Sequence, residues 1–287
     1  MKACITFSKH LQFGQDTYKE NSKKTGVLMT TDKKTIFFDI DGTIYDEDKN
    51  VPASTREAIA ELQRRGHNVV IATGRGAYMF KELREELGID SFVSLNGQYV
   101  VYKGKVIYTN RLETEVLKEL TLFADKNDHP VAYIDATDMK VNTAEHVNIV
   151  TSIGSLKLAF PTYDAEYFLL NDIYQAIIFC PQESQAAYEE AYPELKFVRW
   201  HPLGMDVLPG NGSKANGIAK MLEILGVDKA DVYAFGDGLN DLEMLSYVGH
   251  GIAMGNAEEE VKAAAAYVTR HVSEDGIYEG LKMVGLL

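Results

Sequence analysis

The sequence predicts an α/β protein: a doubly wound parallel sheet interrupted by an inserted α+β domain. Three observations carry this reading. After residue 34, short apolar runs alternate with amphipathic stretches, the signature of parallel βαβ units. From Gln98 the pattern changes to neighbouring strands of alternating polarity, as in antiparallel pairs. From Ser213 the first pattern returns. These shifts divide the chain into a core (31–97 and 206–287), an insertion (98–205) and an N-terminal extension (1–30).

The elements follow in order. Thr35 to Ile40 is a short buried strand. Ser54 to Arg65 reads as a helix, with Ser54 as N-cap, Glu57 as its capping-box partner and Gly66 as the stop. Asn68 to Thr73 is a second strand, Ala77 to Leu87 a helix halted by Gly88, and Phe92 to Leu95 a third strand. Within the insertion, QYVVYKGKVIYT (98–109) is a hairpin around Lys103-Gly104-Lys105. Helices are expected over Glu113 to Lys126, Ala144 to Ser152 and Glu183 to Ala191. Strands are expected over Val131 to Asp135, Lys140 to Thr143, Tyr174 to Cys180 and Phe197 to His201. The core resumes with a helix from Ser213 to Leu225, then the strand Val232 to Phe235 and a helix from Leu239 to Val248. Gly251 to Met254 and a strand near Tyr267 to Thr269 flank a helix from Ala257, whose Glu258-Glu259-Glu260 suits the first turn of a helix dipole. A last helix closes the chain.

Composition narrows the function. A net charge of −13 over 287 residues argues against nucleic-acid and anionic-membrane partners. No apolar run approaches the ~20 residues of a membrane span. Cys4 and Cys180 stand far apart and in no metal spacing, which suits a reducing, cytoplasmic setting. The leader reverses the chain's charge: Lys2, Lys9, Lys19, Lys23 and Lys24 face only Asp16 and Glu20. Met29 offers a second start just before the first strand, so translation from Met29 is one expectation and a short native arm the other.

Ligands of open parallel sheets bind at the carboxyl ends of the strands. The first strand ends in Asp39 and Asp41, the second in Thr73-Gly74-Arg75, and the strand after the insertion in Asp237, with Asn240 and Asp241 one turn on. Lys214 opens the helix before that strand. Carboxylates gathered this closely repel one another unless a cation joins them. The donors are all oxygen, which favours Mg²⁺ and argues against zinc. A phosphate ester would find its positive charge in that metal and Lys214. At the strand end, one carboxylate is placed to attack phosphorus, and the other to donate a proton and later take one from water.

Asp39-Ile40-Asp41-Gly42-Thr43, Thr73, Lys214 and Gly236-Asp237-Gly238-Leu239-Asn240-Asp241 resemble, in order, the four motifs of the haloacid dehalogenase (HAD) superfamily. The insertion between the second and third motifs, with Ile71 to Arg75 and Leu95-Asn96-Gly97, resembles the Cof-type (IIB) phosphatases with a type-2 cap. The resemblance implies a HAD core with a mobile cap and Mg²⁺-dependent hydrolysis of small phosphate esters such as sugar phosphates. It assigns Asp39 as nucleophile and metal ligand, and Asp41 as acid/base and ligand through its carbonyl. Thr73, Gly74, Arg75, Lys214 and Asn240 become phosphate or substrate contacts, and Asp237 and Asp241 the remaining metal residues. A phosphotransferase or phosphomutase is the alternative; a phosphosugar-binding regulator with a vestigial site is the other. A monomer or weak homodimer is expected.

One decoy stands beside these motifs. Gly210-Asn211-Gly212-Ser213-Lys214-Ala215 fits the dinucleotide fingerprint and follows the apolar run Met205 to Leu208. The reading preferred is a glycine-rich return from the insertion. Among the aromatics of the insertion, Tyr99, Tyr133 and Trp200 belong to a group that could wall a substrate or simply fill the core.

Overall fold

The computed structural model describes residues 33–287. The lysine-rich leader and the start at Met29 lie outside the described residues. The chain runs β1 (Thr35–Phe38), α1 (Ala53–Arg64), β2 (Asn68–Ala72), α2 (Lys81–Leu87), β3 (Phe92–Ser94), β4 (Tyr99–Tyr102) and β5 (Lys105–Thr109). It continues through α3 (Thr114–Lys126), β6 (Val131–Ile134), β7 (Met139–Val141), α4 (Val147–Ser155), β8 (Thr162–Tyr163), α5 (Tyr167–Leu170), β9 (Gln175–Ile178), α6 (Gln185–Ala191), β10 (Leu195–His201) and β11 (Gly204–Pro209). It ends with α7 (Lys214–Leu225), β12 (Val232–Gly236), α8 (Leu242–Tyr247), β13 (His250–Ala253), α9 (Glu259–Ala264), β14 (Tyr267–Val268) and α10 (Gly276–Met283).

The core sheet has the order β14-β13-β12-β1-β2-β3-β4-β5. Every pair from β14 to β3 is parallel, as predicted. β1 is buried on both faces because its alternate residues feed two cores. Ile36 and Phe38 pack with Ile59, Leu62, Leu83 and Leu281 of α1, α2 and α10. Phe37 packs with Ile218, Met221, Leu245 and Val261 of α7, α8 and α9. The result is a helix–sheet–helix sandwich with β1 at its centre.

The structure moves three sequence expectations. The hairpin β4–β5 belongs to the core sheet, where β4 pairs antiparallel with β3. Alternating polarity announced an antiparallel pair but not which sheet would take it, and the nearest free edge did. β11, divided by the predicted boundary at 205/206, is instead a full strand of the second sheet, whose order is β10-β11-β9-β6-β7-β8. The cap therefore begins after Thr109 and returns after Pro209. Finally, α1 starts at Ala53 with Pro52 in the capping position and no side-chain cap; Ser54 lies inside the first turn, its hydroxyl buried without a partner. Pro52 enters with φ −58° and ψ 145°, an extended approach that fixes the start two residues earlier than a cap at Ser54 would. The predicted stop at Gly88 is present, with φ +63° closing α2.

The cap packs its sheet over α3, α5 and α6 on one face, where Tyr133 and Tyr188 are enclosed. α4 covers the other face through Ile149 and Ile153. The two crossings between core and cap lie side by side. Asn110 Nδ2 donates to Gln98 Oε1 at 2.8 Å and to Asn211 Oδ1 at 3.0 Å, tying the outgoing segment to the returning one.

Candidate active site

The switch point of the sheet lies between β1 and β12: the chain builds outward to β2 and β3 on one side and to β13 and β14 on the other. Such points open a crevice at the strand ends. Asp39 follows β1, and its N–H donates to Phe235 O of β12 at 3.0 Å, which sets it beside the end of that strand. Asp237 follows β12. Carboxylate oxygens of Asp39, Asp237 and Asp241 come within 4.8 Å of one another.

Lys214 sits among them with a fully buried side chain, donating to Asp39 Oδ1 and Asp241 Oδ1, each at 2.7 Å. It stands at the first turn of α7 because the Ser213 hydroxyl caps that helix, accepting from Asn216 N–H. Burial works against its ammonium charge, but Asp241 and Asp39 outweigh burial and hold it charged. Asp241 is completely buried, and its Oδ2 accepts the N–H groups of Asp237 and Gly238 at 3.0 Å each. It thus braces the loop that presents Asp237.

Asp237 Oδ1 accepts from the Thr43 hydroxyl at 2.9 Å. Gly42 is required beside it. Gly42 has φ +77°, and a Cβ there would fall 2.1 Å from Asp237 Oδ2. Asn256 closes the same corner, donating to Gly42 O at 2.8 Å while accepting from Val272 N–H at 2.9 Å. Nothing in the sequence pattern marks Asn256, a lone amide in the loop before the glutamate run of α9.

Asp41 lies outside this cluster. Its carboxylate takes a two-point ion pair from Arg75, both contacts 2.7 Å, and a third contact from Lys49 at 2.5 Å. Burial alone would raise its pKa, but Arg75 first and then Lys49 hold it below the usual carboxylate range. Arg75, expected at the substrate, is therefore occupied by Asp41, and Lys49 is a contact that sequence reading missed. The reason is local: Lys49 reaches inward from a turn closed by Asp46 N–H on Asn50 O, a conformation no motif announces.

The charges do not balance. Asp41 is neutralised by its own two cations, whereas Asp39, Asp237 and Asp241 share the single ammonium of Lys214. Were all three carboxylates ionised, that one ammonium would leave an excess of two negative charges in a buried place. The consequence is visible in their acidity. Burial, then the neighbouring acids, raise Asp39 well above the ordinary carboxylate range despite Lys214. Burial followed by Asp241 pushes Asp237 up to about 7. A divalent cation among all-oxygen donors answers that excess, so the residues present fit Mg²⁺.

A cavity of about 400 Å³ opens above the acids, between core and cap. Asp39, Asp41, Thr73, Gly74, Arg75 and Asn240 line its floor. Thr73 holds the following turn by accepting Arg75 N–H at 3.1 Å. Ile134, Ile153, Ile177 and Trp200 of the cap form an apolar ceiling, interrupted by Gln175 and Asp206. Of the predicted aromatic wall, Trp200 faces this cavity, while Tyr133 is buried in the cap. The cap is seated on the core: Gln175 Nε2 donates to Gly74 O at 3.3 Å, Asn96 Nδ2 to Asp206 Oδ2 at 2.8 Å, and Lys196 pairs with Glu243.

The dinucleotide fingerprint dissolves in this geometry. β11, which precedes it, runs antiparallel to both β9 and β10, so no parallel βαβ unit surrounds Gly210 to Ala215. The glycines serve close packing: a Cβ on Gly210 would meet Glu194 O at 2.5 Å.

Fold and site together define a hydrolase of the HAD type. The chain belongs to the haloacid dehalogenase-like hydrolases, whose family model matches residues 36–281. It is 52% identical over 256 residues to the Bacillus subtilis (strain 168) protein named "Putative phosphatase YkrA", covering 89% of this chain and 99% of YkrA. A solved protein of Geobacillus kaustophilus HTA426 is 53% identical, with a TM-score of 0.83 over 89% of this chain and 100% of its own. The HAD subclass IIB sugar phosphatase BT4131 is 31% identical, with a TM-score of 0.81 over the same shares. Family and relatives make the chain a phosphatase of this superfamily, with its likeness in subclass IIB.

Proposed function

We propose that this protein is a Mg²⁺-dependent phosphatase of small phosphorylated metabolites, sugar phosphates foremost, acting through an aspartyl-phosphate on Asp39. One observation carries the reading: Asp39 stands buried at the switch point, one oxygen held by Lys214, on the floor of a cavity it shares with Asp41.

In the first half-reaction an Asp39 oxygen forms a bond to phosphorus as the bond to the leaving oxygen breaks. Asp41 gives that oxygen a proton. In the second, Asp41 takes a proton from water, whose oxygen attacks phosphorus and frees Asp39 and inorganic phosphate. The grip of Arg75 and Lys49 favours the carboxylate form of Asp41, which suits the second half; in the first, Asp41 has to release them and carry a proton. Thr73 and Asn240 orient the phosphoryl oxygens, and Lys214 keeps Asp39 fixed. Asp39, Asp237, Asp241 and the Asp41 carbonyl would hold Mg²⁺, which when bound supplies positive charge to the phosphoryl oxygens.

The cavity size suits a small metabolite. A ceiling of aliphatic and indole surface interrupted by Gln175 and Asp206 supports a leaving group with both apolar faces and hydroxyls. The name of BT4131 as a sugar phosphatase supports the same class. The net charge of −13 supports a small-molecule substrate over nucleic acid, and no helix among the described residues is long and apolar enough to cross a membrane. The buried free thiol of Cys180 supports a cytoplasmic setting.

Phosphate release from a panel of phosphorylated metabolites, with Mg²⁺ or EDTA, on wild type and Asp39→Asn, tests the proposal. Release is expected to need both the metal and Asp39. Turnover retained by Asp39→Asn would refute the nucleophile, and a sugar phosphate isomerised rather than hydrolysed would make the enzyme a mutase.

A further inference from the structure

Between cap and floor lies a chain of three amides whose orientation is set from the backbone carbonyl of Gly74. Asn96 is 2% exposed, and it and Leu95 both adopt left-handed backbone, with φ of 50° and 52°. Two successive non-glycine residues in that region cost energy that packing elsewhere has to offset. The strained turn delivers the Asn96 side chain to the cap–core junction. There its Nδ2 donates to Asp206 Oδ2 at 2.8 Å and to Gln175 Oε1 at 3.0 Å. Its Oδ1 accepts from Asn240 Nδ2 at 3.2 Å.

Each link fixes the next. Gln175 gives its amide N–H to Gly74 O, a carbonyl that only accepts, so its own oxygen has to face Asn96. Two acceptors then claim both hydrogens of Asn96 Nδ2. Its oxygen is left toward Asn240, which has to answer with a donor. Asn240 keeps a second N–H, and Asn240 lines the cavity floor with Asp39 and Thr73.

We propose that Asn96, itself oriented by Asp206 and Gln175 of the cap, is a positioning residue that fixes the amide of Asn240 so that an N–H group faces the phosphoryl group. The idea rests on the phosphatase reading above. It also makes the seated cap part of phosphate binding: when Asp206 and Gln175 move off, Asn96 loses the partners that set its polarity, and Asn240 is free to turn.

A double-mutant cycle tests this, with p-nitrophenyl phosphate as substrate, Mg²⁺ present and inorganic phosphate as competitive inhibitor. Asn96→Gly suits the purpose because glycine adopts the left-handed turn without strain and deletes only the side chain. Asn240→Ala should weaken phosphate inhibition by about 10- to 100-fold, the range for a lost hydrogen bond to a charged oxygen. Asn96→Gly should weaken it by roughly 2- to 10-fold, as expected for releasing one immobilised side chain. The double variant should match Asn240→Ala alone, with KM moving more than kcat. If Asn96→Gly fails to fold by thermal melting, Asp206→Leu takes its place in the cycle with the same expectation. Independent, multiplying effects would overturn the relay, as would Asn240→Ala binding phosphate like wild type. Wild type that turns over nothing would overturn the phosphatase reading, and the relay with it.

Discussion

Lys214→Met removes a cation from a position its partners cannot vacate. The lysine side chain is 0% exposed, and the carboxylates of Asp39 and Asp241, 9% and 0% exposed, each lie 2.7 Å from its nitrogen. Deleting one member of a buried ion pair costs about 3–5 kcal/mol, because the charge left behind has neither water nor partner. Against a total of about 5–15 kcal/mol for a folded domain, that is a large fraction. At about 2–4 °C per kcal/mol for a chain approaching this length, melting should fall by roughly 10 °C. Urea unfolding at pH 7 in EDTA measures it, with the midpoint lowered and the slope unchanged. The loss should depend on pH with a definite sign. Burial already raises the Asp39 pKa and Lys214 opposes that rise, so without the lysine the folded state holds the Asp39 proton over a still wider pH range than the unfolded chain does. Stability of the variant then rises as pH falls, and its deficit is smaller at pH 5 than at pH 8. A loss under about 1 kcal/mol, unchanged across that range, would show that the lysine does not carry the charge of this site.

The wild type in EDTA should itself lose stability as pH climbs from 3.8, the ordinary Asp value, to about 7, where Asp237 titrates in the fold; melts should slope by up to ~1.4 kcal/mol per pH unit, and Mg²⁺ should flatten them. Gly42→Ala should cost about 1–2 kcal/mol for the left-handed backbone and displace Asp237, seen as weaker Mg²⁺ binding by calorimetry; unaltered affinity would contradict the 2.1 Å approach. Arg75→Gln frees Asp41 from its main ion pair, so the acid limb of the pH–rate profile should move to higher pH, whereas an unmoved limb would take Arg75 out of the control of Asp41.

The sheet core was readable because its signals are short-range. Ile36-Phe37-Phe38 is continuous and apolar since both faces of β1 are covered, and Gly88 stops α2 through its own backbone. Asp39, Lys214, Asp237 and Asp241 were readable as a set because a strand end or a helix start fixes where each emerges. What escaped depends on contacts between distant segments. The hairpin β4–β5 announces pairing but not a partner sheet. β11 looks like a linker until β9 and β10 flank it. Lys49, Asn256, Gln175 and Asp206 have no spacing signal, since each reaches the site from a turn or from the other domain. Ser54 shows the opposite failure, a local motif that Pro52 pre-empts.

Asn110 bridges the outgoing and returning segments, so the cap leaves the core and re-enters it through a single doorway. All eight strands of the core sheet lie outside the segment between those crossings, hairpin included. The cap is thus a cassette: a short splice from Thr109 to Ser213 interrupts no strand of the catalytic sheet. Lineages that exchange or redesign this module keep Asp39, Lys214 and Asp237 in place, but the new module has to bring its own partners for Asn96 where Asp206 and Gln175 stood.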